Sequence, residues 1–383
     1  MSVRTGKPGY MIVLSLILIS LIVAIVTTMA NKSRIHIRYI KTMINREKAK
    51  MIAWSGVQVA KSQLANMGVV KDVKESSQDK NKNQKDKQKK QNGKKKKEKG
   101  GKRLEEAKQF ITKLFPVINR WQTFKLNKKN DGITGELKIC LGCEEGKIDI
   151  NQFFDFVHKK FFGEGSKKND YKKVMQQIFA QIKKVAGGED VFSKFEKFLK
   201  DRQNKLYDPT ELLKIKELER FKENVFYEPS GSVRSNTGKP KQTIYLSDIF
   251  TLWSFKKELN PWFLSHSLKV LLGLKVEVSG NVGLEEKTLQ EKLKQFKLKL
   301  AWPDSWKNML LPLYGKDFDH LPSEVSKVMS TKFEPKVFSV LSYGTVGDVT
   351  QKLFVIMERV ALPKRKSSGS TSFEFRTKKF YWL

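Results

Sequence analysis

Hydrophobic and polar positions fall into three textures along this chain. The first is the longest apolar run. Tyr10 to Ala30 reads YMIVLSLILISLIVAIVTTMA, without a charge. About twenty such residues, rising about 1.5 Å each, cross a hydrocarbon core of about 30 Å. The helical pattern then continues in amphipathic form. Ile37, Ile40, Ile44, Ile52 and Val59 mark one phase, and Ala49, Ala53, Gly56 and Ala60 recur close to every fourth residue. No proline lies between Pro8 and Pro116, so nothing obliges the helix to stop at a membrane surface. The pattern predicts one long helix, membrane-spanning over 10–30 and amphipathic over 31–67.

The second texture has a period of two. Ile133, Leu137 and Ile139 predict a strand, Glu144-Glu145-Gly146 a turn, and Lys147 to Asn151 a returning strand, together a hairpin. The same texture reappears from Lys336. KVFSVLSYGTVGDVTQKLFVIMERV predicts two strands joined at Tyr343 to Gly347, and SSGSTSFEFRTKKFYWL predicts a last one.

Between these β-rich parts the period is 3.6. Phe153, Phe154, Phe156, Val157, Phe161 and Phe162 open a helical region. Tyr171 to Val185 and Val191 to Leu199 follow, with Gly187-Gly188 as a break. Asp208-Pro209-Thr210-Glu211 has the chemistry of a helix start: Asp208 caps, Pro209 fits the first turn and Glu211 completes a capping box. Asn260 and Pro261 open a further helix that Gly273 ends, with Phe263, Leu264, Leu268, Leu271 and Leu272 on its core face. Leu284 to Tyr314 adds a lysine-rich amphipathic helix and a segment in which Trp302 and Trp306 are packing residues. The fold class is therefore α+β: a long N-terminal helix on an antiparallel sheet, with a helical domain over 151–335 inserted between the first strands (104–150) and the last (336–383).

Charge changes this picture in one place. The chain has 383 residues and a formal net charge of +35, from 75 Lys plus Arg against 40 Asp plus Glu. Lysines are spread along its length, many at the polar phase of helices, which favours a lysine-biased composition over a dedicated nucleic-acid surface. The exception is Lys71 to Arg103, almost free of apolar residues. Such a run cannot bury enough surface to offset its ordering entropy, and it predicts a disordered loop. It lacks interleaved aromatics, so base stacking is not expected. The readings open for it are a solvated insertion, which is favoured, and a polybasic arm for DNA, anionic lipid or peptidoglycan-associated polymer.

Candidate chemistry is sparse. Cys140-Leu-Gly-Cys143 is a lone CxxC without a second ligand pair for zinc, and His36, His158, His266 and His320 show no ligand spacing. Cys140 and Cys143 are expected at a strand end, as a candidate disulfide in an oxidising compartment. No phosphate-binding loop, zinc-protease motif or nucleophile elbow is present. Cations flank the apolar run on both sides, Arg4 and Lys7 before it and Lys32, Arg34, Arg38 and Lys41 after it. The positive-inside rule alone then favours a cytoplasmic C-terminal part.

Several segments together resemble the minor pseudopilin K family of type II secretion. MSVRTGKPG, basic and ending in Gly9 just before the apolar run, resembles a type IV prepilin leader. Asn45 to Leu64 (NREKAKMIAWSGVQVAKSQL) resembles the family's post-membrane segment. LKICLGCEEGKIDIN, LYDPTELLKIKELERF and the β-rich C-terminus resemble its later elements in order. The resemblance implies a leader over 1–9, cleavage between Gly9 and Tyr10, and methylation of the new amine of Tyr10. Most prepilins carry glutamate at the fifth mature position; here it is Leu14, as the resemblance expects for a subunit at the tip. It further implies a single-pass protein of the bacterial inner membrane with a periplasmic C-terminal domain, which reverses the orientation that the charges favour.

The implied function is capping the pseudopilus and helping to initiate its assembly, without catalysis. The implied partners are the prepilin peptidase, other minor pseudopilins and the major pseudopilin; nucleic acid is not expected. Calcium enters as the family's ion, with no ligands assignable. Two alternatives stay open. One is a minor pilin of a type IV pilus or DNA-uptake pseudopilus, and the other a membrane-anchored nucleic-acid-binding protein.

Overall fold

The computed structural model describes residues 8–68, 113–166, 169–228, 243–274, 315–316, 318–329, 335–361 and 373–383. The expected Lys71–Arg103 loop, most of the leader, the helix from Leu104 up to residue 112, and the Leu284–Tyr314 segment lie outside these residues.

Helix α1 runs unbroken from Pro8 to Gly68, as the lack of internal proline predicts. The main sheet has five antiparallel strands in the order β1-β2-β7-β8-β9. β1 (Trp121–Leu126) and β2 (Gly135–Cys143) pair with Trp121 opposite Cys140. The short helix α2 (Lys128–Asp131) joins them, capped by Asn127 and closed by Gly132 at φ +72°. The central partner of β2 comes from the far end of the chain. β7 (Val337–Val346) aligns Ile139 with Ser342, then turns at Gly347 into β8 (Val349–Ala361). β9 (Phe373–Trp382) closes the sheet against β8, with a bulge at Ile356/Met357.

The sheet is covered on both faces. Leu137, Ile139, Val340, Leu353 and Val355 lie in the same core as Ala49, Ile52, Ala53 and Val57 of α1. Residues of the opposite parity, including Cys140, Leu341, Tyr343 and Phe354, form a second core with Tyr227 and Tyr245 of the insertion. This is the period-two consequence of a pleated strand.

The insertion is not wholly helical. The expected hairpin after Gly146 does not form. A 3-10 turn covers Glu144–Gly146, and β3 (Ile148–Asp149) pairs in parallel with β6 (Phe250–Thr251) instead of returning to β2. Helix α3 (Ile150–Phe153) is a single turn, followed by the small hairpin β4 (Phe154–Asp155) and β5 (Lys160–Phe161). The phenylalanine run is therefore not the helix that its density suggests. Phe153, Phe154, Phe156 and Phe161 are buried, whereas Val157 is exposed at the hairpin tip. Tertiary burial overrides a periodicity drawn from so short an apolar run.

Helices α4 (Tyr171–Ala186) and α5 (Phe192–Asp201) match expectation, broken at Gly187 (φ +75°). Asp208 and Glu211 do form a capping box, but on a 3-10 segment, Pro209–Lys214, followed by another, Lys216–Phe221. α6 (Leu246–Ile249) precedes β6. The helix expected after Asn260 is two pieces: a 3-10 turn Pro261–Phe263 capped by Asn260, and α7 (His266–Leu271) capped by Ser265. Ser265 offers a second cap, which restarts the helix in a new direction. α8 (Ser323–Lys327) completes the described insertion.

Candidate functional site: an exposed apolar helix and a buried acidic turn

α1 has two halves with opposite surroundings. From Ile12 to Ile44 its large apolar side chains are exposed, Leu14 and Ile22 among them. The segment is long and apolar enough to cross a membrane. Between Ile12 and Ala30 the only polar side chains turn back onto the helix. The hydroxyls of Ser15, Ser20, Thr27 and Thr28 donate to backbone carbonyls three or four residues earlier at 2.7–3.0 Å. No hydroxyl there needs water, the condition for sitting in hydrocarbon.

The second half is seated on the sheet through small residues. Ala49, Ala53 and Ala60 are fully buried. A Cβ on Gly56 would stand 2.1 Å from Ser342 Oγ, and one on Gly344 would stand 2.2 Å from the Ala49 carbonyl oxygen. At Gly344 backbone meets backbone, and at Gly56 sheet side chains meet the helix backbone, because neither glycine carries a side chain. Ser342 Oγ donates to the Ala53 carbonyl at 2.7 Å, fixing the register of helix on strand.

The turn after β2 is the other joint. Glu144 and Glu145 are fully buried, Lys147 and Asp149 nearly so. Charges so placed must be paired. Lys147 Nζ lies 2.6 Å from Glu144 Oε1, and the Thr251 hydroxyl donates to the second Glu144 oxygen. Glu145 accepts from the Lys336 amide at 2.8 Å, where the chain returns to the sheet, and lies 3.4 Å from Lys256 Nζ. Its carbonyl accepts from Asn260 N at 2.7 Å. Gly146 leaves no room for a side chain, since a Cβ would fall 1.8 Å from the Phe263 carbonyl oxygen. Asp149 Oδ2 accepts from Ser254 Oγ at 3.0 Å and Phe255 N at 2.9 Å. Exit, middle and return of the insertion thus meet at six residues.

Burial sets the protonation here. Desolvation raises the Glu145 carboxyl, partly offset by Lys256. It raises Asp149 to about 6, against the pull of its hydrogen bonds. Desolvation also pushes both thiols up, Cys143 helped by Glu145 beside it. A cleft beside the turn is lined by Asn119, Cys140, Lys147, Tyr227, Asp248 and His266. Burial holds the His266 imidazole below its usual range, with Asp248 opposing. A protonated thiol and a lysine already paired offer no nucleophile.

The predicted site residues do not converge. Gly9 and Tyr10 lie in the first turns of α1, and Leu14 stands exposed one turn on. The candidate disulfide is corrected. Cys140 and Cys143 are free thiols in β2. Cys140 faces the aromatic core with Trp121 and Tyr343, whereas Cys143 belongs to the other core and donates to Glu145 Oε2 at 3.1 Å. Three residues of extended strand separate them by roughly 10 Å on opposite faces, beyond the Cα separation of at most about 7 Å that a disulfide allows.

No calcium ligands are assignable among the described residues. Among the described residues no group of three or more His, Cys, Asp or Glu could hold a metal ion. Glu144 and Glu145 are already committed to lysines, a hydroxyl and an amide, and Asp149 is bonded through Oδ2 alone. Ser342 and Gly344 escaped sequence reasoning, although a glycine inside a strand pattern signals close approach of another backbone.

No protein-family model matches this chain, and no curated protein matches it. One solved structure similar to it is that of the GspK-GspI-GspJ complex from the enterotoxigenic Escherichia coli Type 2 Secretion System. The match has 13% identity and a TM-score of 0.32, covering 76% of this chain and 98% of that one.

Proposed function

We propose that this chain is a minor pseudopilin of a type II secretion system: an assembly protein, not an enzyme, anchored in the bacterial inner membrane with its globular part in the periplasm. The observation that carries this reading is the divided helix. Half of α1 is bare, and its uncharged part is apolar over about the thickness of a bilayer core, while the other half is locked onto an antiparallel sheet by small residues. In water the bare half is an aggregation surface. In a bilayer, or among like helices in a filament, it is satisfied.

The division into leader (1–9), span (10–30), stalk (31–67), sheet and insertion belongs to the same reading. Cleavage after Gly9 frees the amine of Tyr10. In filaments of the wider family a glutamate at the fifth mature position neutralises a neighbour's amine; Leu14 has no charge with which to do so. A subunit of this kind suits a place with no subunit above it, and so does a bulky insertion. The tip follows, with other minor pseudopilins and the major pseudopilin below.

The mass of the N-terminal peptide recovered from membranes tests this. The expected chain begins at N-methylated Tyr10. A chain beginning at Met1, or cut after Ala30, overturns the proposal.

A further inference from the structure

We propose that Arg34, Arg38 and Lys41 form a headgroup site for anionic phospholipids where α1 leaves the bilayer. The proposal rests on the reading of 10–30 as a membrane span. Seven cations lie between Lys32 and Lys50 (Lys32, Arg34, Arg38, Lys41, Arg46, Lys48 and Lys50), and Glu47 is the only acid in that interval. Glu47 is already engaged by Lys50 at 2.8 Å. Residues 31–44 are exposed on every side, and burial begins only at Asn45 and Ala49, where the helix reaches the sheet.

The three residues are not scattered around the helix. At about 100° per residue, spacings of four and three place Arg34, Arg38 and Lys41 within a sector of roughly 60°. Ile37, Ile40 and Ile44 occupy the neighbouring stripe, so the apolar surface offered to another helix and the basic stripe are separate.

Depth agrees with position. Arg34 lies roughly 6 Å beyond Ala30 along the axis, Arg38 roughly 12 Å and Lys41 roughly 17 Å. The headgroup layer is about 5–8 Å thick on each side of the hydrocarbon core. Helical side chains lean toward the N-terminus, which on this segment is toward the membrane. Long basic side chains therefore reach back: Arg34 within the layer, Arg38 at its edge, and Lys41 once the helix tilts. The cations that oppose the proposed orientation acquire a task on that side of the membrane.

The test uses the full chain in bilayer discs of neutral phosphatidylcholine or of a mixture with phosphatidylglycerol, followed by native mass spectrometry of retained lipid. The wild-type chain should retain phosphatidylglycerol preferentially. Arg34→Gln, Arg38→Gln and Lys41→Gln together should abolish the preference, at about fivefold per cation. A control with Lys125, Lys128 and Lys129 changed to Gln, on the exposed corner of β1 and α2, should keep it. Equal preference in the stripe variant overturns the proposal, as does displacement of the lipid by excess inorganic phosphate, which would mark a free-anion site. If the chain enters neither kind of disc, the membrane-span reading has failed. If it enters both and retains lipid without preference, only the headgroup site has failed.

Discussion

Two joints hold the globular part together, and they are built from opposite materials. Where α1 meets the sheet, the contact is largely apolar and very close, with Ser342 donating to Ala53 and Gln63 to Gln122 across it. Where the chain leaves the sheet for the insertion, beside the aromatic core that Tyr227 and Tyr245 share with the sheet, the contact is a turn of buried charges whose oxygens gather the exit, middle and return of the inserted segment. The seam is sensitive to volume and indifferent to charge. The turn is sensitive to charge and protons. A pull along α1 loads the first joint, while the second fixes how the insertion sits on the sheet.

The difference can be broken most severely at the charged joint. Lys147→Met leaves Glu144 buried without its cation, and denaturant unfolding of the full chain in detergent should show a loss of about 3–5 kcal/mol. Adding Glu144→Gln should recover most of it; no recovery would mean that volume, not charge, is what the site requires.

Protons sharpen the contrast next. Asp149 is raised to about 6 from an ordinary value near 3.8, so the folded chain binds that proton more tightly than the unfolded one. Its stabilising share is fully present below about pH 4 and is lost as pH rises through about 6, roughly 3 kcal/mol across the window. Asp149→Asn should flatten this part of a stability–pH curve, and a curve left unchanged would acquit Asp149.

The seam should respond to size alone. Gly344→Ala forces a Cβ against the Ala49 carbonyl and should cost about 1–3 kcal/mol, by the same amount at pH 5 and pH 7. Ser342→Ala removes one hydrogen bond to Ala53 and should cost about 1 kcal/mol. Smallest of all, Leu14→Ala in the bare half should leave unfolding of the globular part within about 0.5 kcal/mol of wild type. A larger shift would mean that this half contacts the sheet.

What was legible in the sequence was whatever local physics decides. The uncharged run of 10–30 and the absence of proline dictate α1. Its every-fourth small residues mark a face that admits close approach without saying what approaches it, and Asp208 with Glu211 foretells a capping box, because caps depend on neighbours three residues apart. The alternating run after Lys336 is equally local.

Only the tertiary structure decided what lies across these elements. β2 finds β7 from the opposite end of the chain, and the segment after Gly146 pairs with Phe250–Thr251 rather than with β2. The phenylalanine run forms a hairpin because its burial comes from α4 and α5, not from its own periodicity. The acidic pair read as a hairpin turn is the most deeply buried charge among the described residues, and Lys147 and Lys256 come to meet it. Spacing in sequence does not encode which distant groups will neutralise a charge, and that assignment is settled only when the chain closes on itself.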